Sequence, residues 1–304
     1  MSPTPASAGP TGPTREPAGP PPRTASRSRR RTPVTDPGTI PAVALAVAAV
    51  AAQIAYPLAH GSARDVVTVL VVALLAAACL AHAVAHRGAA WAAGMFVISA
   101  GVGFASEVAG TATGYPYGCY AYATDRLGPA LFDVPLVVPL AWTAGLYPVW
   151  CVATRLTPRP TTRIAAATIG MVGWDLYLDP QMVADGQWTW CHGSGLPGLT
   201  HIPLSNYAGW LVVAAVMATA LTALDRVTRQ PRGGDAVPLA LFLWTWLGSA
   251  LAHTVFLDAP ELRWSAVYGF IVMGLLGIPL LLSLLRDRRA HRDLRRRAGT
   301  PPDL

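Results

Sequence analysis

The chain alternates long uncharged stretches with short segments that hold nearly all of its charge. Eight such stretches lie at residues 41–59, 66–85, 89–106, 134–153, 164–174, 207–224, 237–257 and 266–285. Most reach the ~20 residues that a helix needs to cross a hydrocarbon core. They lack the period-two alternation of barrel strands, and lipid offers backbone groups no other partners, so they predict helices. The predicted fold is all-α, a polytopic membrane bundle of about eight transmembrane helices.

The fifth stretch is the shortest, because Asp175 interrupts it. It crosses a membrane only if the helix continues through that charge as far as Asp179. Pro180 follows directly, and a proline disfavours helical backbone in the residue before it. We therefore expect this helix to end at Pro180.

Composition and charge support a membrane protein rather than a nucleic-acid-binding one. The sequence is 53% hydrophobic and only 13% charged, whereas about a quarter of the residues are charged in a typical soluble domain. The net charge is +7, but the basic residues are all arginine, and most of them fall on alternate sides of the helix map. Only Arg64, Arg126 and Arg263 fall on the other side. The positive-inside rule then predicts that both termini lie in the cytoplasm. We expect a multi-pass protein of the bacterial cytoplasmic membrane with no nucleic-acid partner.

The lack of lysine excludes two further classes, a retinal Schiff base and a Walker-type nucleotide site. We divide the chain into three parts. Residues 1–38 form a Pro/Arg-rich tail that is predicted to be disordered and cytoplasmic. Residues 39–285 form the transmembrane catalytic domain, and residues 286–304 form an Arg-rich cytoplasmic tail.

The four cysteines show no spacing typical of a metal site, so we predict no metal. Cys119 and Cys191 both map to outer loops. They either pair in an oxidising exterior or remain two free thiols.

Four ionisable residues lie inside the predicted spans, all in the outer half of the membrane: Glu107, Asp175, Asp179 and His253. Such residues are costly in lipid and are often functional. The pattern DLYLD places Asp175 and Asp179 on one helix face, where two charges would repel by roughly 3 kcal/mol. The pair is therefore expected to hold a proton at neutral pH and to act as a general acid.

Structural roles are the alternative for each of these residues. Asp179 could belong to an interfacial turn, and Asp175 could pair with a buried arginine, although none lies within a predicted span. Glu107 and His253 could each be satisfied by a hydrogen bond to a neighbouring helix.

Two outer segments are rich in aromatic residues, YPYGCYAY at 115–122 and WTW at 188–190, the latter near Asn206 and Trp210. An interfacial aromatic belt would explain them. Alternatively, they line a site for a long apolar ligand and offer ring faces to a developing cation.

Three blocks in these regions resemble a known family: GYPYGCYAYATDRLGPALFDVPLVVPLAW (114–142), WDLYLDPQMVADGQWTW (174–190) and IPLSNYAGW (202–210). They are similar to the membrane carotenoid-biosynthesis hydratases, which include the bisanhydrobacterioruberin hydratases and the carotenoid 1,2-hydratases. The likeness covers most of the chain from the first helix to the last.

The resemblance implies a hydro-lyase that adds water across the terminal isoprenoid double bond of an acyclic carotenoid, without a cofactor. The substrate would be a C50 carotenoid of the bisanhydrobacterioruberin type or a C40 carotenoid of the lycopene type. The expected partners are this lipid-soluble substrate, membrane lipid and a lycopene elongase of the same pathway. The candidate catalytic residues are Asp175, Asp179 and Glu107, and the candidate substrate-binding residues are Tyr117, Tyr120, Tyr122, Trp142, Trp188, Trp190, Asn206, Trp210 and His253.

Other functions stay open at this point. A membrane prenyltransferase would use aspartates to bind Mg²⁺ and diphosphate. A non-catalytic carotenoid-binding or transport protein would return its ligand unchanged.

Overall fold

The computed structural model describes residues 1–2, 37–123, 125–228 and 234–299. Within these residues the chain makes eight helical crossings, as predicted. The helices are α1 (Ile40–Ala55), α2 (Ser62–Arg87), α3 (Ala89–Phe96), α4 (Val102–Thr113), α5 (Val137–Leu156), α6 (Pro160–Ala184), α7 (Leu204–Val227), α8 (Ala236–Leu251) and α9 (Leu262–Gly299). A π-helical turn, Val97–Gly101, joins α3 and α4 into one crossing, and a second π-helical turn, Ala252–Phe256, extends α8.

Seven of the described crossings are long and apolar enough to span a membrane, which makes this a multi-pass membrane protein. The remaining crossing is α6, which carries Asp175 and Asp179. It packs against α5, α7 and α9, so it exposes little surface that lipid would have to solvate. A central position lets a helix carry polar residues that a lipid-facing helix could not.

The expectation that Pro180 ends α6 is wrong, because the helix continues to Ala184. A proline inside a helix leaves the carbonyl four residues earlier without its usual N–H donor. Here that carbonyl belongs to Leu176, and it accepts a hydrogen bond from the Ser265 hydroxyl on α9 at 2.6 Å. Ser265 in turn bonds to His253 at 2.9 Å. A side chain from a neighbouring helix thus replaces the missing backbone bond.

Polar contacts gather at the two ends of the bundle. One end, which we call the tail end, holds the start of α1 and the ion pairs Arg87–Asp235, Arg155–Asp287 and Arg163–Asp225. The other, the roof end, holds the ion pairs Arg64–Asp185 and Arg126–Asp65. The structure therefore puts Arg64 and Arg126 at the end opposite to most arginines, as the helix map predicts. Which end faces the cytoplasm stays a prediction.

Short strands cover the roof end and were not predicted. Strand β1 (Tyr120–Tyr122) pairs antiparallel with β4 (Trp188–Trp190), and β2 (Ala130–Leu131) pairs with β3 (Val134–Pro135). A disulfide between Cys119 and Cys191, with Cα atoms 5.4 Å apart, joins β1 to β4. We call β1, β4 and this disulfide the roof.

The predicted tails fall at the edges of the described structure. Residues 3–36, most of the N-terminal tail, lie outside the described residues, as do residues 300–304. Residues 286–299 continue α9 as helix beyond the predicted end of the span.

Candidate active site

A cavity of about 70 Å³ lies directly beneath the roof, with walls from α2, α4, α5, α6 and α7. Its volume is enough for several water molecules. Eleven of the twelve candidate residues named from the sequence line it: Glu107, Asp175, Asp179, Tyr117, Tyr120, Tyr122, Trp142, Trp188, Trp190, Asn206 and Trp210. The cavity therefore brings together residues from four separate segments of the chain.

Glu107 on α4 is buried and accepts hydrogen bonds on both carboxylate oxygens. Its Oε2 accepts from the Tyr120 hydroxyl at 2.5 Å and from the Tyr122 hydroxyl at 2.8 Å. Its Oε1 accepts from the indole N–H of Trp142 at 3.1 Å. Three donors directed at one carboxylate suit its ionised form, since a charged acceptor makes stronger hydrogen bonds.

The tyrosine donors of Glu107 belong to the roof. Burial raises the pKa of the Tyr120 and Tyr122 hydroxyls, and the nearby Glu107 carboxylate raises it further. Both hydroxyls therefore keep their protons and remain donors across the physiological pH range.

Asp175 and Asp179 are both buried on α6 and share one donor. The Nδ2 atom of Asn206 lies 2.9 Å from Oδ2 of Asp175 and 2.9 Å from Oδ2 of Asp179. Asp179 accepts two further bonds on Oδ1, from the indole N–H groups of Trp188 at 2.5 Å and Trp190 at 3.3 Å. The two carboxyl groups thus differ in their surroundings, because Asp179 has three N–H donors.

Aromatic rings form much of the wall of the cavity that holds Glu107 and the two carboxyl groups on α6. Trp142 and Trp210 stack with ring centroids 3.9 Å apart and planes inclined by 20°. Trp174 meets Trp210 edge to face at 5.9 Å. A cation that formed in the cavity would face these rings, and tryptophan is the best aromatic partner for a cation.

Two glycines on α4 let the donors reach Glu107. A Cβ atom at Gly103 would lie 2.6 Å from the Trp142 ring, and one at Gly110 would lie 2.6 Å from the Tyr120 hydroxyl. These contacts are closer than real side chains allow. Small residues one turn to either side of Glu107 are therefore needed for its hydrogen bonds.

His253 is the candidate residue that the structure places elsewhere. It is fully buried, and its ring nitrogens bond to Ser265 at 2.9 Å and to Gln181 at 2.9 Å. It is not among the described residues that line the cavity. Its neighbours match the structural alternative, a histidine that bonds to neighbouring helices, here close to Pro180.

The apolar cavity wall on α2 could not be predicted from the sequence. Thr68 and Val72 of α2 line the cavity, as do Leu178 and Met182 of α6. In a uniformly apolar span, a residue that faces a cavity looks the same as one that faces lipid. Trp174 was within reach of sequence reasoning, because it begins the segment 174–190, but it was assigned no role.

The part of the chain that the structure describes contains no group of three or more His, Cys, Asp or Glu side chains arranged to hold a metal ion. Asp175 and Asp179 on α6 come nearest to such a group. The atom that lies between their carboxylates, however, is the amide nitrogen of Asn206, which is a hydrogen-bond donor.

Comparison with known proteins identifies the family. The family described as "Carotenoid biosynthesis protein" matches residues 37–276. The chain belongs to this family. The match runs from just before α1 into α9, so every residue that lines the cavity lies within it.

A curated relative of this chain is the bisanhydrobacterioruberin hydratase of Haloarcula japonica. The two are 32% identical over 159 residues, which is 49% of this chain and 52% of the relative. The chain thus spans about half the length of the curated relative it matches. No solved structure matches the chain.

Proposed function

We propose that this protein is a carotenoid hydratase that adds water across the terminal isoprenoid double bond of an acyclic carotenoid. A proton joins the less substituted alkene carbon, water joins the resulting tertiary cation, and loss of a proton leaves a tertiary alcohol. The name of the curated relative favours a C50 substrate of the bisanhydrobacterioruberin type. Since water is added without any net change of oxidation state, the reaction needs no redox cofactor.

Asp175 is the proposed proton donor, with Asp179 as its charged partner. Three N–H donors stabilise the ionised form of Asp179. A second negative charge on the same helix face would be repelled, so Asp175 keeps its proton. After it protonates the alkene, Asp175 can accept a proton from the attacking water. The pair then returns to its starting state.

Glu107 and the tryptophan faces stabilise the proposed cation. The carboxylate is held in place by Tyr120, Tyr122 and Trp142, so it need not reorganise as positive charge develops. The stacked rings of Trp142 and Trp210 add their electron-rich faces to the same cavity.

The polyene would extend from the cavity along its apolar wall between α2 and α6. Val72 and Leu178 are half-buried at this wall, and Thr68 and Met182 are buried beside them. A linear hydrocarbon chain would lie along this wall. Its reacting end would enter the cavity next to the carboxyl groups.

The observation that carries the proposal is the meeting of three buried carboxyl groups and stacked tryptophans in one cavity of a carotenoid-biosynthesis family member. The test is pigment analysis by liquid chromatography and mass spectrometry in cells that make bisanhydrobacterioruberin. Wild-type protein should add ~18 mass units per hydrated end, as expected for acid-catalysed addition of water. Asp175→Asn should abolish the hydrated product while the protein remains in the membrane.

A matched control is Asp287→Asn, which removes a carboxylate from an exposed ion pair at the tail end. This variant should form product at the wild-type level. Wild-type product levels from Asp175→Asn would refute the assignment of the donor. Unchanged pigments with inserted wild-type protein would refute the hydratase and favour a carotenoid-binding protein.

A further inference from the structure

The two strands of the roof carry hydrogen-bond donors for two of the three carboxyl groups of the site, Glu107 and Asp179. Tyr120 is paired with Trp190, and Tyr122 with Trp188. The tyrosines donate to Glu107 and the tryptophans to Asp179. Between them, Ala121 and Thr189 point the other way and are exposed. This is the alternation expected of a strand with one buried face.

The register of this pairing decides whether the site is assembled. A shift of one residue in a strand moves its side chains to the opposite face. Such a shift in β4 would turn Trp188 and Trp190 away from Asp179. Thr189, which is now exposed, would face the site instead. A shift in β1 would withdraw both tyrosines from Glu107.

The strand pairing alone is too short to hold this register firmly. Each strand has three residues, and an isolated two-stranded ribbon is marginally stable at best. The disulfide lies one residue beyond the Tyr120–Trp190 pair, and the Cys191 N–H donates to the Cys119 carbonyl at 2.9 Å. The bond therefore fixes the register at the Tyr120–Trp190 end of the ladder.

We propose that Cys119 and Cys191 are positioning residues whose disulfide holds the roof donors on Glu107 and Asp179. The proposal rests on the proposed hydratase function. It also assigns the roof to the oxidising side of the membrane, where such a bond persists. That side agrees with the predicted orientation, because most arginines lie at the opposite end.

The experiment compares the double variant Cys119→Ser/Cys191→Ser with Cys79→Ser, all produced as full-length protein in membranes. Cys79 is a buried free cysteine on α2, outside the cavity lining, so its replacement is the matched control. The double variant should insert normally but lose on the order of 100-fold in kcat, the cost of misplacing catalytic groups by about 1 Å. KM should change little, because the apolar wall between α2 and α6 is untouched.

A spectroscopic measurement tests the role of the disulfide independently of the proposed hydratase function. The near-ultraviolet circular dichroism of Trp188 is obtained as the difference between wild type and Trp188→Phe. The double variant should lack this signal, and Cys79→Ser should keep it, whether or not a hydrated product is found. If wild type forms no hydrated carotenoid but the signal depends on the disulfide, only the proposed function fails.

If the double variant does not accumulate, the same test can be made by reducing the disulfide of the wild-type protein after it has inserted. A membrane-impermeant reductant added to the roof side should remove both the activity and the Trp188 signal, and reoxidation should restore them. The proposal is overturned if kcat stays within about threefold of wild type and the Trp188 signal persists once both thiols are shown to be free by mass-tag labelling.

Discussion

Replacement of Glu107 by glutamine tests whether a fixed negative charge takes part in the reaction. Glutamine has nearly the same shape but no charge. Its carbonyl oxygen can still accept hydrogen bonds from Tyr120 and Tyr122. Its amide nitrogen would then face the Trp142 indole N–H, which now donates to Oε1 at 3.1 Å. One donor would therefore oppose another in a buried site.

The cost can be worked out from these three bonds. A hydrogen bond to a charged group contributes about 1.5–3 kcal/mol and a neutral one about 0.5–1.5 kcal/mol, so the two tyrosine bonds weaken by roughly 1 kcal/mol each. An unpaired buried indole N–H costs about 1–3 kcal/mol more. These hydrogen-bond losses add up to about 4 kcal/mol. The smaller cost of burying a neutral side chain offsets part of this loss. Loss of the charge from the transition state should lower kcat by about 10²–10³-fold, as for other preorganised electrostatic groups.

The assay is turnover of the carotenoid by detergent-purified protein, with the Tm of the same sample measured in parallel. Tyr122→Phe is the control, because it removes one donor and leaves the charge of Glu107 in place. It should lower Tm less than Glu107→Gln and should lower kcat by no more than about tenfold, the effect of one hydrogen bond. If Glu107→Gln retains kcat within about threefold of wild type, Glu107 does not stabilise a cation and the reasoning fails.

Three further predictions follow from the cavity. Asn206→Leu removes the N–H donor that Asp175 and Asp179 share. Product formation should therefore fall by about 10²-fold while membrane insertion is unchanged. Normal turnover would show that the two aspartates do not need this donor. Val72→Trp places a bulky side chain on the apolar wall between α2 and α6. Conversion of a full-length carotenoid should then stop, while a short prenyl analogue is still hydrated. Equal loss of both activities would refute the proposed path of the polyene. Excess EDTA should leave product formation unchanged, because an amide N–H donor lies between the two carboxylates; loss of activity that Mg²⁺ restores would instead indicate a prenyltransferase.

The membrane fold could be predicted from the sequence because lipid imposes one simple rule. A spanning segment must be helical and apolar, and seven of the described crossings meet that rule on length and composition alone. The eighth, α6, was predicted only on the condition that it continue through Asp175. It does so because neighbouring helices surround it, which is a tertiary effect that no local pattern shows.

Pro180 illustrates a second limit. The rule that a proline ends a helix holds when the freed carbonyl finds no other donor. In this protein Ser265, 89 residues away along the chain, supplies that donor. His253 was grouped with the site residues because it is ionisable and lies at the same depth, yet it supports Ser265. Sequence reasoning could not separate these two roles, since both require a buried histidine.

The candidate site was predictable to the extent that its residues are unusual in a membrane. Buried carboxyl groups and clustered aromatic residues are conspicuous in an apolar sequence, and the structure brings eleven of the twelve candidate residues to one cavity. Their partners were not predictable. The pairing of β1 with β4 joins segments far apart in the sequence, and whether Cys119 and Cys191 pair was left open until the structure joined them. The catalytic roles of these residues stay predictions.

The most direct test of the account is hydration of a bisanhydrobacterioruberin-type carotenoid by purified protein in liposomes made up in H₂¹⁸O. The account predicts a product heavier by about 20 mass units per hydrated end, with the label in a tertiary alcohol and no added cofactor, as acid-catalysed addition of solvent water requires. Recovery of the carotenoid unchanged would contradict it. So would a hydroxylated product without ¹⁸O, because its oxygen would then have come from a source other than water.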